Sequence, residues 1–184
     1  QARAGIERGN APGLLMASPD GIHWSPPRPT GPMGDRSTLF FNPFRNRWVQ
    51  SIRGGCARGR CRLYHEHKDF WESGTWTAGQ PVPWMTADCY DVAGESLPQL
   101  YTLDAVAYES LLIGLFQILK GPPNNIGVLR AEPKLTELVV GSSRDGFHWH
   151  RPDRRAFIGA RREPGAWEFG YVEASGGICL IVGD

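Results

Sequence analysis

Residues 18–24 read SPDGIHW and residues 143–149 read SRDGFHW, with Ser, Asp, Gly, His and Trp in the same places. Asp-Gly between segments able to extend is a hairpin signal, because both residues tolerate the positive φ angles of a two-residue type I′ turn. The reading predicts tight turns at Asp20-Gly21 and Asp145-Gly146. Trp24 and Trp149 then fall on the returning strands, where a large ring fills space between neighbouring sheets. A weaker copy, HKDFWESGTW at 67–76, puts Asp69 at the turn and Trp76 on the return. The repeated placement of His23 and His148 beside the tryptophans marks them as structural.

The bulk composition agrees with a chain of short strands. With 23 Gly and 15 Pro spread over 184 residues, long helices are disfavoured, and 7 Trp and 8 Phe complete an all-β signature. Lys plus Arg is 20 and Asp plus Glu is 19, so a net charge of +1 predicts no nucleic-acid partner and no anionic membrane surface. No apolar run approaches the ~20 residues of a membrane helix. The longest, LLIGLFQIL at 111–119, carries a Gly and a Gln. There is no initiator Met and no targeting segment, and GGICLIVGD at 176–184 stops within an expected strand. The expectation is one domain over 1–184, incomplete at both ends. An extracellular or periplasmic location is favoured, and the oligomeric state is left open. Cys56 and Cys61 could close a short hairpin loop in an exported protein, and Cys179 reads as a buried thiol in an apolar strand.

The turn signals fall at Asp20, Asp69 and Asp145. Repeats of roughly 40 to 50 residues or more, with several strands each, point to a β-propeller of four-stranded antiparallel blades. A second periodicity supports it. GDRSTLFFNPFRNRWVQSIR (34–53), LDAVAYESLLIGLFQIL (103–119) and GYVEASGGICLIVGD (170–184) each set an acid ahead of a strand-like run. The acids are Asp35, Asp104 and Glu173, and the two intervals between them are equal. In a propeller the innermost strand of each blade lines a central channel, so acids opening successive inner strands converge on one funnel. The chain then spans about three blades.

These residues resemble the five-bladed propeller glycoside hydrolases around families 32 and 43, closest to bacterial proteins described as family-32-like. The resemblance runs from about residue 14 to the end and rests on SPDGIHW, the acid-led strands and SRDGFHWHRP. It departs from family 32 in lacking an NDPNG-type opening and in having GDR at 34–36 where RDP is usual. Sialidases are similar in style, but their Asp-box has one more residue between Asp and Gly. The resemblance implies a carbohydrate substrate, hydrolysis of a glycosidic bond, and no cofactor. Its three acids carry over as Asp35 the base or nucleophile, Asp104 the positioning and charge-tuning acid, and Glu173 the general acid.

Glycosidic hydrolysis needs one protonated and one ionised carboxyl flanking the bond, at ~5 to 5.5 Å for retention or ~6.5 to 9.5 Å for inversion. Burial and like-charge neighbours separate two such pKa values. The plainer alternative is that each acid caps a strand end or pairs with an arginine. Around the trio, Arg53, Arg60 and Arg62 are candidates to grip substrate hydroxyls or a carboxylate through forked hydrogen bonds. All three lie in RGGCARGRCRLYHEHK (53–68), which reads as a strand-turn-strand rather than an RNA-binding Arg-Gly segment or a zinc site. Asp91, with Asp88 in TADCYD (86–91), sits in a loop able to overhang the funnel, or bonds its own turn. Tyr108, like Tyr101, offers a sugar-stacking ring or a core one. A non-catalytic carbohydrate-binding or scaffold propeller is the second functional reading. A sugar lyase with a Tyr or His base is the third.

Overall fold

The computed structural model describes residues 11–174 together with 177 and 179. Within them the chain folds into three antiparallel sheets. Strands β1 (Ala11–Leu15) and β2 (Arg28–Met33) form the first. Strands β3 (Thr38–Asn42), β4 (Arg47–Cys56), β5 (Gly59–His67) and β6 (Val82–Thr86) form the second, and β7 (Gln99–Tyr108), β8 (Leu111–Gly121) and β9 (Leu135–Ser143) the third. Spatial order follows chain order in every sheet, the arrangement that short hairpin connections allow. A short α-helix, α1 (Asn124–Arg130), joins β8 to β9, and a 3-10 turn at Glu72–Gly74 lies between β5 and β6. The all-β expectation holds, and the described residues close no barrel or propeller ring.

Local chemistry explains the turns. In NPFRNR the Asn42 Oδ1 accepts from the N–H groups of Phe44 and Arg45, at 3.1 and 3.3 Å, and Asn46 takes a left-handed φ of 51° before β4 begins. Asn tolerates that region better than most residues do. Between β4 and β5, Gly59 opens the returning strand at a φ of 99°.

The sheets stack face on face. Ile52, Leu63 and Trp76 bury the side of the second sheet turned towards Met33 of the first. Phe40, Val49 and Tyr64 of the second sheet meet Ala105 and Leu112 of the third, with Trp84, Phe147 and Trp149 filling in around them. On the far face of the third sheet, Leu138 packs with Val172 and Ala174. Polar ties join the same layers. Thr38 Oγ1 donates to the carbonyl of Leu103 at 2.5 Å, and Asn42 Nδ2 to that of Asp145 at 2.8 Å.

Three sequence expectations are corrected. The Asp-Gly loops are not type I′ hairpins: Gly21 and Gly146 take φ of 74° and 79°, but neither Asp20 nor Asp145 is left-handed, and type I′ requires both. The loops are wider, closed by side chains. Nor does Asp104 open its strand. It is the sixth residue of β7, which starts at Gln99, because Leu100, Thr102 and Leu103 already pair with β8. Cys179 is exposed rather than buried, since no sheet among the described residues covers it. Most of the strand expected after Glu173 lies outside the described residues.

Candidate functional site

The two copies of the repeated phrase fold alike, hydrogen bond for hydrogen bond. Ser18 Oγ accepts from the Gly21 N–H at 2.8 Å, and Asp20 Oδ1 from the N–H groups of Ile22 and His23 at 2.9 and 2.8 Å. Ser143 Oγ and Asp145 Oδ1 do the same for Gly146, Phe147 and His148, all at 2.8 Å. Each Asp also holds its His through Nδ1, at 2.6 and 2.7 Å. Asp69 repeats the acceptor pattern with Trp71 and Glu72. These hydrogen bonds outweigh what little burial there is and hold the carboxyls of Asp20 and Asp145 well below the usual range. The loops are therefore architecture, and the three acids lie elsewhere.

Asp35 and Glu173 are brought into one patch by two arginines. Arg53, on β4, ion-pairs with Asp35, while Arg36, the residue after Asp35, ion-pairs with Glu173. Both acids are partly exposed. Arg36 adopts a left-handed φ of 62°, a conformation that costs a non-glycine residue about 1 kcal/mol. Its carbonyl accepts from Arg62 Nη2 at 2.8 Å, which helps to hold the turn there.

Arg62 is the hub beneath this arrangement. It is fully buried, and its donors go to Ser51 Oγ, the Ser51 and Arg36 carbonyls and the Tyr101 carbonyl. Desolvation pushes its guanidinium down to about 9. It ties the Asp35–Arg36 turn and β4 to β7 and presents no surface to a substrate.

Tyr101 and Tyr171 complete the patch. Their rings meet edge to face at 6.1 Å. The Arg36 guanidinium lies 5.5 Å from the Tyr171 ring centre. Arg60 and Lys134 lie 5.0 and 5.4 Å from that of Tyr101. Burial raises the Tyr101 phenol, but the Tyr171 hydrogen bond and the charges of Lys134 and Arg60 outweigh it and bring the phenol below its ordinary value. Burial and the Tyr101 contact raise Tyr171.

Asp104 makes none of this patch's contacts. It is wholly buried in β7, with Oδ1 accepting from the Ala105 N–H at 3.0 Å and Oδ2 without a hydrogen-bond partner. Desolvation raises it to about 6. Asp91 is buried against Arg151 at 2.9 Å and Arg154 at 3.2 Å, with Asp88 sharing both arginines, so this loop is pinned to the segment after β9. Tyr108 is exposed at the far end of β7. No disulfide joins Cys56 to Cys61. Among the described residues no group of three or more His, Cys, Asp or Glu is placed to hold a metal ion, and no helix is long and apolar enough to cross a membrane.

Of the residues singled out in the sequence, Asp35, Arg53 and Glu173 share one patch. Arg62 lies beneath it, and Asp104, Asp91 and Tyr108 lie in three other settings. Arg36, Lys134 and Tyr171 escaped the sequence reading. One signal was available for the tyrosine: Tyr101 and Tyr171 are separated by almost the same interval as successive acids. No protein-family model and no curated protein matches the chain.

Proposed function

We propose that the three sheets are successive blades of a β-propeller of the five-bladed type, and that the open end bearing Asp35, Tyr101, Tyr171 and Glu173 is a saccharide site at which a glycosidic bond is hydrolysed. The blade reading is supported by the four-stranded meander of β3–β6, the face-on stacking of all three sheets, and the recurrence of the Asp-loop directly after β1, β5 and β9. The functional reading rests on one observation. Two carboxylates from opposite ends of the described chain are gathered beside an edge-to-face tyrosine pair, through arginines on neighbouring elements. Aromatic faces stack on sugar rings, and carboxylates carry both hydroxyl recognition and bond cleavage.

Hydrolysis also needs a carboxyl that keeps its proton near neutrality, and burial favours the proton at Asp104. A specific observation favours the second reading, a non-catalytic carbohydrate-binding propeller: Asp104 has no exposed surface, and Asp35 and Glu173 are both engaged by arginine. Turnover separates the two. Purified protein is assayed against a panel of aryl glycosides and polysaccharides, alongside Asp35→Asn, Asp104→Asn and Glu173→Gln. A hydrolase turns over at least one substrate and loses at least about 100-fold on substitution of its acid or base, with the fold retained. Saccharide binding without turnover by the unsubstituted protein overturns hydrolysis in favour of the binding reading.

A further inference from the structure

The patch carries more positive than negative charge, and the excess is concentrated at one ring. Arg36 and Arg53 face Glu173 and Asp35. Arg60 and Lys134, both half-buried over Tyr101, have no carboxylate partner among the described residues. Arg60 gives Nη1 and its backbone N–H to the neutral amide oxygen of Gln99, at 3.1 and 3.0 Å. Its Nε is buried with no hydrogen-bond partner. Cations withdrawn from water and left without a counter-charge are costly, and an anion docking between them recovers that cost.

Arg60 and Gln99 line a cavity of about 200 Å³ with Ser96, Pro122 and Asn124, and Asn124 also borders a neighbouring cavity that Lys134 lines. A planar guanidinium with free donors suits a carboxylate, and an ammonium nearby adds charge without demanding geometry. The Tyr101 ring beside both cations offers an aromatic surface to the ring that bears the carboxylate.

We propose that Arg60 and Lys134 form a subsite for the carboxylate of an acidic sugar, so that the saccharide bound here contains uronic acid units. This rests on the saccharide reading above and names its substrate class. Calorimetric titration tests it with uronate oligosaccharides of several linkages (oligogalacturonate, alginate and hyaluronan fragments), each against its methyl ester. Esterification removes the charge and nearly preserves the shape. At least one uronate binds at least tenfold more tightly than its ester, and raising the salt concentration erodes that preference. Arg60→Gln and Lys134→Met each bring the acid-to-ester ratio towards one. The salt series needs no variant, so it stands even where a substitution disturbs folding. Equal affinity for acid and ester, or a preference that survives both substitutions, overturns the carboxylate subsite and leaves the saccharide reading in place. Binding of neither form overturns the carboxylate subsite, and failure to bind any saccharide of the wider panel overturns the saccharide reading as well.

Discussion

The two copies of the repeated phrase differ in what their tryptophans touch. Trp24 is 57% exposed. Trp149, which follows the same Asp-Gly-x-His run and the same backbone loop hydrogen bonds, packs edge to face on Phe116 at 5.5 Å and joins two core clusters. The difference lies in the sheet behind each loop. Trp149 reaches past β9 to β8, where Gly114 leaves room: a Cβ there would lie 2.6 Å from the indole. Among the described residues no strand lies beyond β1 to play that part for Trp24. Identical local chemistry thus yields a core residue in one place and a surface residue in the other.

The largest break in this comparison is expected from the rings. Trp149→Ala should lower the stability to denaturant by about 3 kcal/mol, as large-to-small changes in packed sites do, and Trp24→Ala by less than about 1 kcal/mol. Equal losses would mean that Trp24 has a partner the comparison overlooks.

A second contrast sets the buried Asp104 against the loop acids. Its folded-state value of about 6 lies above the ordinary carboxylate value, so the folded chain holds a proton that the unfolded chain releases. Its stabilising share is complete below about pH 4 and lost as pH rises through 6. Asp20 and Asp145 are depressed and act in the opposite sense: their share is present above about pH 4 and lost as pH falls. Asp104→Asn should therefore gain about 2 kcal/mol on the unsubstituted protein at pH 7 relative to pH 4. Thermal melts across pH check it, and a difference that does not change with pH would refute it.

The smallest effect sharpens the loop comparison itself. Gly21→Ala and Gly146→Ala both force a side chain into the left-handed region, at about 1 kcal/mol. At Gly146 the new Cβ also meets Asn42 Nδ2 at 2.6 Å, while at Gly21 nothing lies within 4 Å. Gly146→Ala should cost about 1 kcal/mol more, read as a difference in denaturation midpoint.

Much of the architecture was legible. The Gly and Pro density argued against long helices, and the two copies of the repeated phrase close the same loop. The equal spacing of the acids found Asp35 and Glu173, which do share a patch. It also drew in Asp104, which the alternation of β7 turns into the stack of sheets. Arg62 read as a substrate grip because a sequence does not reveal which face of β5 is enclosed. Arg36 and Lys134 went unnoticed because surface cations are common, and only their placement over Tyr171 and Tyr101 distinguishes them.

What the sequence by itself determined was whatever depends on near neighbours. The Ser, Asp and Gly of each phrase suffice to close the loop, since all its donors and acceptors lie along that short segment. Tertiary structure alone decided burial and company: that Trp149 is covered and Trp24 is not, that Arg62 spends its donors inside, and that Arg60 and Lys134 flank one phenol. Those outcomes depend on strands distant in the chain, and hydrophobic stacking of whole sheets sets them rather than any local bond.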